Sequence, residues 1–421
     1  MRPGTLFSGL FHPSREEQAD LFAMGAHAET GGNPKDISDA LEGHLFEGGP
    51  PTRLLTALGL MRRDSPQVAL RMGLAVAIGW LPLLLLTAIE SVVRRDASFA
   101  SFLSDFGVHA RSLFAAPLFI AAEAYSLPRL SIIAAHFATS GVIAAKDAPA
   151  FTRAVVSTLR LRDSLRFEFL VVAVAASLIV TLSFRLPADI FPAWQVAGAH
   201  AGRTAAALWH EFVSVPILVV LVLGWLWRIF IWSRFLVLVS HLDLRLVAAH
   251  PDRAGGLGFL GLALEATSLL AFALGTIVAG TVANRVMDGV SLFSFRYVLL
   301  AFVVVVALLF VSPLFAFTKK LIETFERGVL EYGALARSLG LQMERRWLNH
   351  AASPETLDAN DFSATTDLYA VVANAYRVLP VPVSLRDIVV LVVATLLPFV
   401  PVALLVMSPA ALFEKLTGIA L

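Results

Sequence analysis

The chain has 421 residues, of which 57% are hydrophobic and 15% charged, and its mean hydropathy is +0.75. Soluble domains are roughly half apolar and about a quarter charged, so this composition excludes an ordinary soluble protein. A net charge of +1 removes the basic excess that would point to nucleic acid, and the lack of cysteine removes disulfides, thiolate nucleophiles and sulfur-bound zinc.

Residues 1–66 read as a cytosolic N-terminal extension. In its first 52 residues the acids Glu16, Glu17, Asp20, Glu29, Asp36, Asp39, Glu42 and Glu47 outnumber Arg2, Arg15 and Lys35. Breaks at Gly31-Gly32-Asn33-Pro34 and Gly48-Gly49-Pro50-Pro51 interrupt it. Apolar runs then recur at 72–92, 112–133, 167–184, 208–231, 257–283, 297–317 and 388–407. Each is about long enough to cross ~30 Å of hydrocarbon as a helix. The expected fold class is all-α: a polytopic membrane protein of six to seven transmembrane helices, with spans one to six inside 67–317.

The second run contains Pro117, Glu123, Tyr125, Pro128 and Arg129, so a broken or tilted helix competes with a clean span. Trp225, Trp227 and Trp232 among Arg228 and Arg234 read as the inner boundary of the fourth, with apolar spacing that carries a helix on to His250. Arg153, Arg160, Arg162 and Arg166 mark an amphipathic approach to the third. Residues 318–387 form a cytosolic helical segment: a helix from Lys319 to Leu348, a short one capped by Ser353, and another from Asp361 to Val378. Residues 388–421 hold the last hydrophobic segment, a span or a hairpin because of Pro398 and Pro401, and the tail.

Lys and Arg alternate between rich and poor loops. A cytoplasmic N-terminus puts 25 of them inside and 8 outside, the direction the positive-inside rule expects. The stretches His250-Pro251-Asp252-Arg253-Ala254-Gly255-Gly256-Leu257-Gly258-Phe259-Leu260, Glu331-Tyr332-Gly333-Ala334-Leu335-Ala336 and Ala394-Thr395-Leu396-Leu397-Pro398 resemble a group of bacterial multi-pass membrane proteins. That resemblance implies a bacterial inner (cytoplasmic) membrane location and attaches no activity.

Glu265 is the sharpest single residue. It falls on the order of 12 Å into the fifth run, where a carboxylate must face the interior, pair with a cation or stay protonated. With Gly258, Gly261, Ser268, Phe272, Gly275 and Ala279 it makes a stripe of mostly small residues, a packing seam first. Glu265 and Ser268 are the candidate permeation or coupling residues. His250, Asp252, Arg253, Gly255 and Gly256 form a turn that is either a structural elbow or a hinge with an anion contact. Arg203, His210 and Glu211 could line an outer vestibule.

Gly256-Leu257-Gly258-Phe259-Leu260-Gly261 matches a dinucleotide fingerprint, but it precedes a membrane helix, and packing explains it better. On a continuous helix His241 and His250 face opposite ways, so no metal site is expected. No catalytic motif and no cofactor motif is present. Two functions compete: a channel or transporter for an ion or small solute, and a non-catalytic membrane scaffold or signalling component. A membrane enzyme acting on a lipid-like substrate is the remaining class. The expected partners are membrane lipids, further copies of the chain in a homo-oligomer and a cytosolic protein, with no nucleic acid.

Overall fold

The computed structural model describes residues 45–46, 67–164, 170, 173–177, 181, 191–196, 202–345 and 359–407. The third predicted span, the short helix expected after Ser353, most of the N-terminal extension and the tail from 408 lie wholly or largely outside these residues. Among the described residues every regular element is helical, and five continuous helices are long and apolar enough to cross a membrane.

The first is Val68–Arg94, made of α1 (Val68–Gly79) and α2 (Leu81–Arg94), which meet at Trp80 with Pro82 in the first turn of α2. A short α3 (Ser98–Leu103) follows. The second crossing is unbroken over 34 residues, Phe106–Thr139. It starts as α4 (Phe106–His109), widens into a π-turn at Ala110–Ala115 and continues as α5 (Ala116–Thr139). Pro117 has no N–H to bond back along the helix, and the wider turn accommodates that loss. Pro128 is tolerated inside α5, where Arg129 Nη1 donates to the Tyr125 carbonyl at 2.7 Å. The expected break is therefore a wide turn in a continuous helix.

After the amphipathic α6 (Ala148–Arg162), the crossing Ala205–Ser240 repeats the pattern: α7 (Ala205–Trp209), a π-turn at His210–Ser214, and α8 (Val215–Ser240) with Pro216 in its first turn. The helix ends at Ser240 and does not run on to His250; residues 241–257 form turns. Gly258–Met287 holds a 3-10 turn and then α9 (Leu262–Met287). Leu292–Met343 is a 52-residue column containing α10 (Arg296–Val311), a 3-10 turn with Pro313, and α11 (Thr318–Met343). At 1.5 Å per residue it measures ~78 Å, so α11 projects far beyond the hydrocarbon. Against it packs α12 (Ala359–Ala375), whose neighbouring Tyr376 and Tyr369 place their hydroxyls on Gly333 and Gly340.

The last hydrophobic segment is α13 (Leu385–Leu396) and α14 (Phe399–Leu404), interrupted at Pro398. Its contacts advance in step with α9. Gly261 lies on Asp387, Gly275 on Thr395 and Pro398, and Ala279, Val282 and Ala283 pack with Phe399 and Val402. The two helices thus run the same way, α9 offering the small-residue stripe as the seam. A Cβ on Gly275 would sit 2.2 Å from the Thr395 carbonyl oxygen, so only glycine permits this approach. At the other end of the bundle Phe137, Phe235, Phe259 and Phe317 interlock and tie α5, α8, α9 and the base of α10 together.

Candidate functional site

Three buried charges from three crossings meet inside the bundle. Glu123 of α5 bonds Arg71 of α1 at 2.5 Å through Oε2 and faces Arg228 of α8 at 3.0 Å through Oε1. All three side chains are less than one-tenth exposed. Glu123 lies midway along the 34-residue second crossing, ~25 Å from either end at the helical rise. Arg228 is a correction to the boundary reading: it does not snorkel. Because α8 continues to Ser240, Arg228 and the indoles of Trp225, Trp227 and Trp232 are inside the protein. Trp225 Nε1 donates to the Phe119 carbonyl at 3.0 Å and closes the α5–α8 contact beside the triad.

The triad belongs to a longer seam. On α1 the residues Arg71, Ala75 and Gly79 are four apart; on α5 Ala116 and Glu123 are seven apart; from the π-turn into α8 Ser214, Leu218, Leu221, Trp225 and Arg228 alternate by four and three. Each set is one helical face. Toward the outer end, under the expected orientation, these faces enclose a small cavity lined by Ala75, Gly79, Arg111, Ser112, Ala116, His210, Ser214, Val215, Ile217 and Leu218. Toward the other end the faces continue to Ser131, Trp232 and Phe235, where Leu45 and Phe46 are seated. Phe46 N–H donates to Ser131 Oγ at 3.2 Å, and its ring packs edge-on against Trp232 at 5.4 Å.

Around the cavity the loops are tightly tied. Asp105 caps α4, accepting from Val108 N–H, Asn284 Nδ2 and Trp194 Nε1 at 2.7–3.0 Å. Thr204 caps α7 by accepting from Ala207 N–H. Of the proposed vestibule residues, Arg203 and Glu211 face each other at 3.5 Å, whereas His210 turns inward, buried, with Trp194 edge-on at 5.6 Å.

The elbow is a separate structure. Asp252 accepts from the N–H groups of Ala254, Gly256 and Gly258 and lies 2.7 Å from His250 Nδ1. Burial opposes its ionisation, but the Ala254, Gly258 and Gly256 N–H groups and His250 outweigh that and hold the carboxyl below its ordinary range. Arg253, Gly255 and Gly256 have φ of +56°, +65° and +100°, and the Arg253 carbonyl accepts from Leu379 N–H at 2.7 Å. The elbow therefore pins the segment leading to α13.

Glu265 sits on neither the triad nor the cavity. It lies opposite Arg386 at 3.9 Å, level with the first turn of α13, with 39% of its side chain exposed; Ser268 Oγ donates to its carbonyl. It is thus nearer one end of its helix than the midpoint. Among the described residues no group of His, Asp and Glu is arranged to hold a metal. Comparison with protein-family models, curated proteins and solved structures returns no match.

Arg71 and Arg228 are what sequence reasoning missed, since both sit where a hydropathy window ends a span. The available signal was Glu123 at the centre of a long apolar run, which demands a cation from another helix.

Proposed function

We propose that this integral membrane protein is a channel or transporter for a small anion, with its route along the seam of α1, α5 and α8. The observation that carries the reading is the triad of two guanidiniums and one carboxylate buried among three crossings. Guanidinium stays protonated at any accessible pH, so the site keeps one uncompensated positive charge in a medium where isolated charge is costly. Outside it the seam opens into a cavity with a further guanidinium; inside, Leu45 and Phe46 close it. A structural ion network can have the same composition, and the flux measurement below separates the two. In this reading the chain crosses a bacterial inner membrane seven times with a cytoplasmic N-terminus, as the charge bias and the parallel run of α9 and α13 favour. Glu265, paired on another seam, supports packing.

A second reading, a scaffold or homo-oligomer, is favoured by one feature: α11 and the region after α12 project from the bundle with Leu330, Leu335, Leu341 and Tyr376 exposed. That surface suits a second copy or a cytosolic protein.

The test is chloride efflux from liposomes holding the purified chain. Wild type is expected to conduct, and Arg228→Gln, which leaves the balanced pair of Arg71 and Glu123, should assemble normally and slow efflux by about tenfold or more. Absence of wild-type flux for any anion tested would remove the transport reading in favour of the scaffold.

A further inference from the structure

The two π-turns match in construction. Each follows a side-chain N-cap, Asp105 or Thr204, by one helical turn, and two residues after each comes a proline, Pro117 or Pro216, twelve residues after the cap. Arg111 and His210 occupy the same place, six residues after their caps, and both line the same cavity. π-turns are rare and concentrate at functional sites, because the wider turn projects a side chain that a regular helix would hold elsewhere.

The lining is unusual in its hydrogen-bonding inventory. His210 is nine-tenths buried, and neither of its ring nitrogens has a hydrogen-bond partner among the described residues; the Nδ1 atom is fully enclosed. The Arg111 side chain forms no hydrogen bond or ion pair among them, and its Nε is enclosed as well. Asp105 exerts a favourable field on Arg111, but its oxygens are taken by Val108, Asn284 and Trp194. Ser112 is buried with its hydroxyl unengaged, while Ser214 already donates to the Gly79 carbonyl at 2.6 Å. No acid is among the described residues that line the cavity.

We propose that this cavity is a binding site for one chloride-sized anion. Arg111 supplies the charge, and the imidazole N–H of His210 and the Ser112 hydroxyl supply neutral donors. The chemistry follows from what is missing: a guanidinium within a membrane crossing whose neighbouring carboxylate, Asp105, gives it a favourable field but no hydrogen bond, beside donors with no acceptor. Size follows from the cavity, which is near the limit for one water-sized body, so any ligand needs some outward movement of the side chains around it. A halide, little larger than water, needs the least, and sulfate or an organic phosphate needs far more. The site deepens the transport reading and rests on it for its purpose, as the outer station of the seam that leads to the triad.

Binding can be measured apart from flux. Radioactive chloride is titrated by equilibrium dialysis against the full chain in detergent. Saturable binding of one ion per chain is expected, displaced by bromide and not by sulfate. Arg111→Gln should weaken it by about tenfold or more, the scale of a lost hydrogen bond to a charged group. Ser112→Ala, which removes the hydroxyl without adding bulk, should weaken it less and covers the case in which Arg111→Gln does not fold. Arg296→Gln, an exposed arginine at the same end of the bundle, should change nothing. Wild type without saturable binding, binding equally displaced by sulfate, or affinity unmoved in both cavity variants would overturn the site, the first result meaning that the cavity holds only water. Saturable binding with no anion flux would instead keep the site and remove the transport reading.

Discussion

A carboxylate held between two guanidiniums neutralises only one of them, so the residue that matters most to the triad's stability is the acid. Glu123→Gln would leave Arg71 and Arg228 facing each other in a medium that screens neither. It is expected to cost about 3–5 kcal/mol in unfolding experiments in detergent, with Arg228→Gln costing clearly less. Equal losses would mean that the two arginines are not sharing the charge. Asp252 makes a pH prediction of definite sign. Its carboxyl is held lower in the folded chain than in the unfolded one, so its contribution is complete above the ordinary carboxylate value of about 3.9 and fades as pH falls through the lower folded value. Asp252→Asn should lower the melting temperature at neutral pH and lose that effect only in strong acid. Glu265→Gln is expected to leave anion flux unchanged, because the acid is paired with Arg386 away from the seam; altered flux would return the route to α9. These residues also mark how far the sequence could be read. Glu123 and Glu265 were both visible as acids in apolar runs, but periodicity does not say which helices are neighbours, so the better-exposed acid drew more notice than the one enclosed by partners. Arg228 was misplaced because indoles and arginines together look like an interface wherever they occur.

At the scale of elements, most crossings were legible because about twenty apolar residues in a row have few alternatives to a membrane helix. The inner boundary of the fourth was not, since the indoles and Arg228 that marked it are enclosed, with α6 and Leu45–Phe46 packed over the turns of α8 that follow. The wide turns carried no signal beyond a proline, and the apolar spacing after Ser240 suggested a helix where the chain instead forms turns closed by Asp252. The seam between α9 and α13 was foreseen as a row of small residues, though its partner was not. Gly275→Leu should therefore disrupt α13 and destabilise the chain by at least about 1–3 kcal/mol, while the same change at Gly73, which has open space around it, should be mild. Leu45 and Phe46 give the inner closure a direct test. Phe46→Ala empties the space against Trp232 and Phe235, and in the transport reading it should raise efflux from liposomes. Reduced or unchanged efflux would show that the dipeptide anchors the bundle without gating it.

For the whole molecule, orientation is open to labelling because the native chain has no cysteine. Ser338→Cys on α11 should react with a membrane-impermeant reagent only after cells are opened, and Ser294→Cys, between α9 and α10, should react in intact cells; the reverse pattern would invert the topology. The matched π-turns then bear on how the molecule is put together. Pro216 follows Pro117 by 99 residues, and the same shift carries Val68–Arg94 onto residues 167–193, where the apolar pattern places the third crossing at 167–184. The two crossings that contain these turns run in the same direction, so any symmetry relating the pairs has its axis along the membrane normal. Equivalent places on two like-built crossings thus hold arginine on one and histidine on the other, so a single body in the cavity meets two different donors from one repeated piece of geometry.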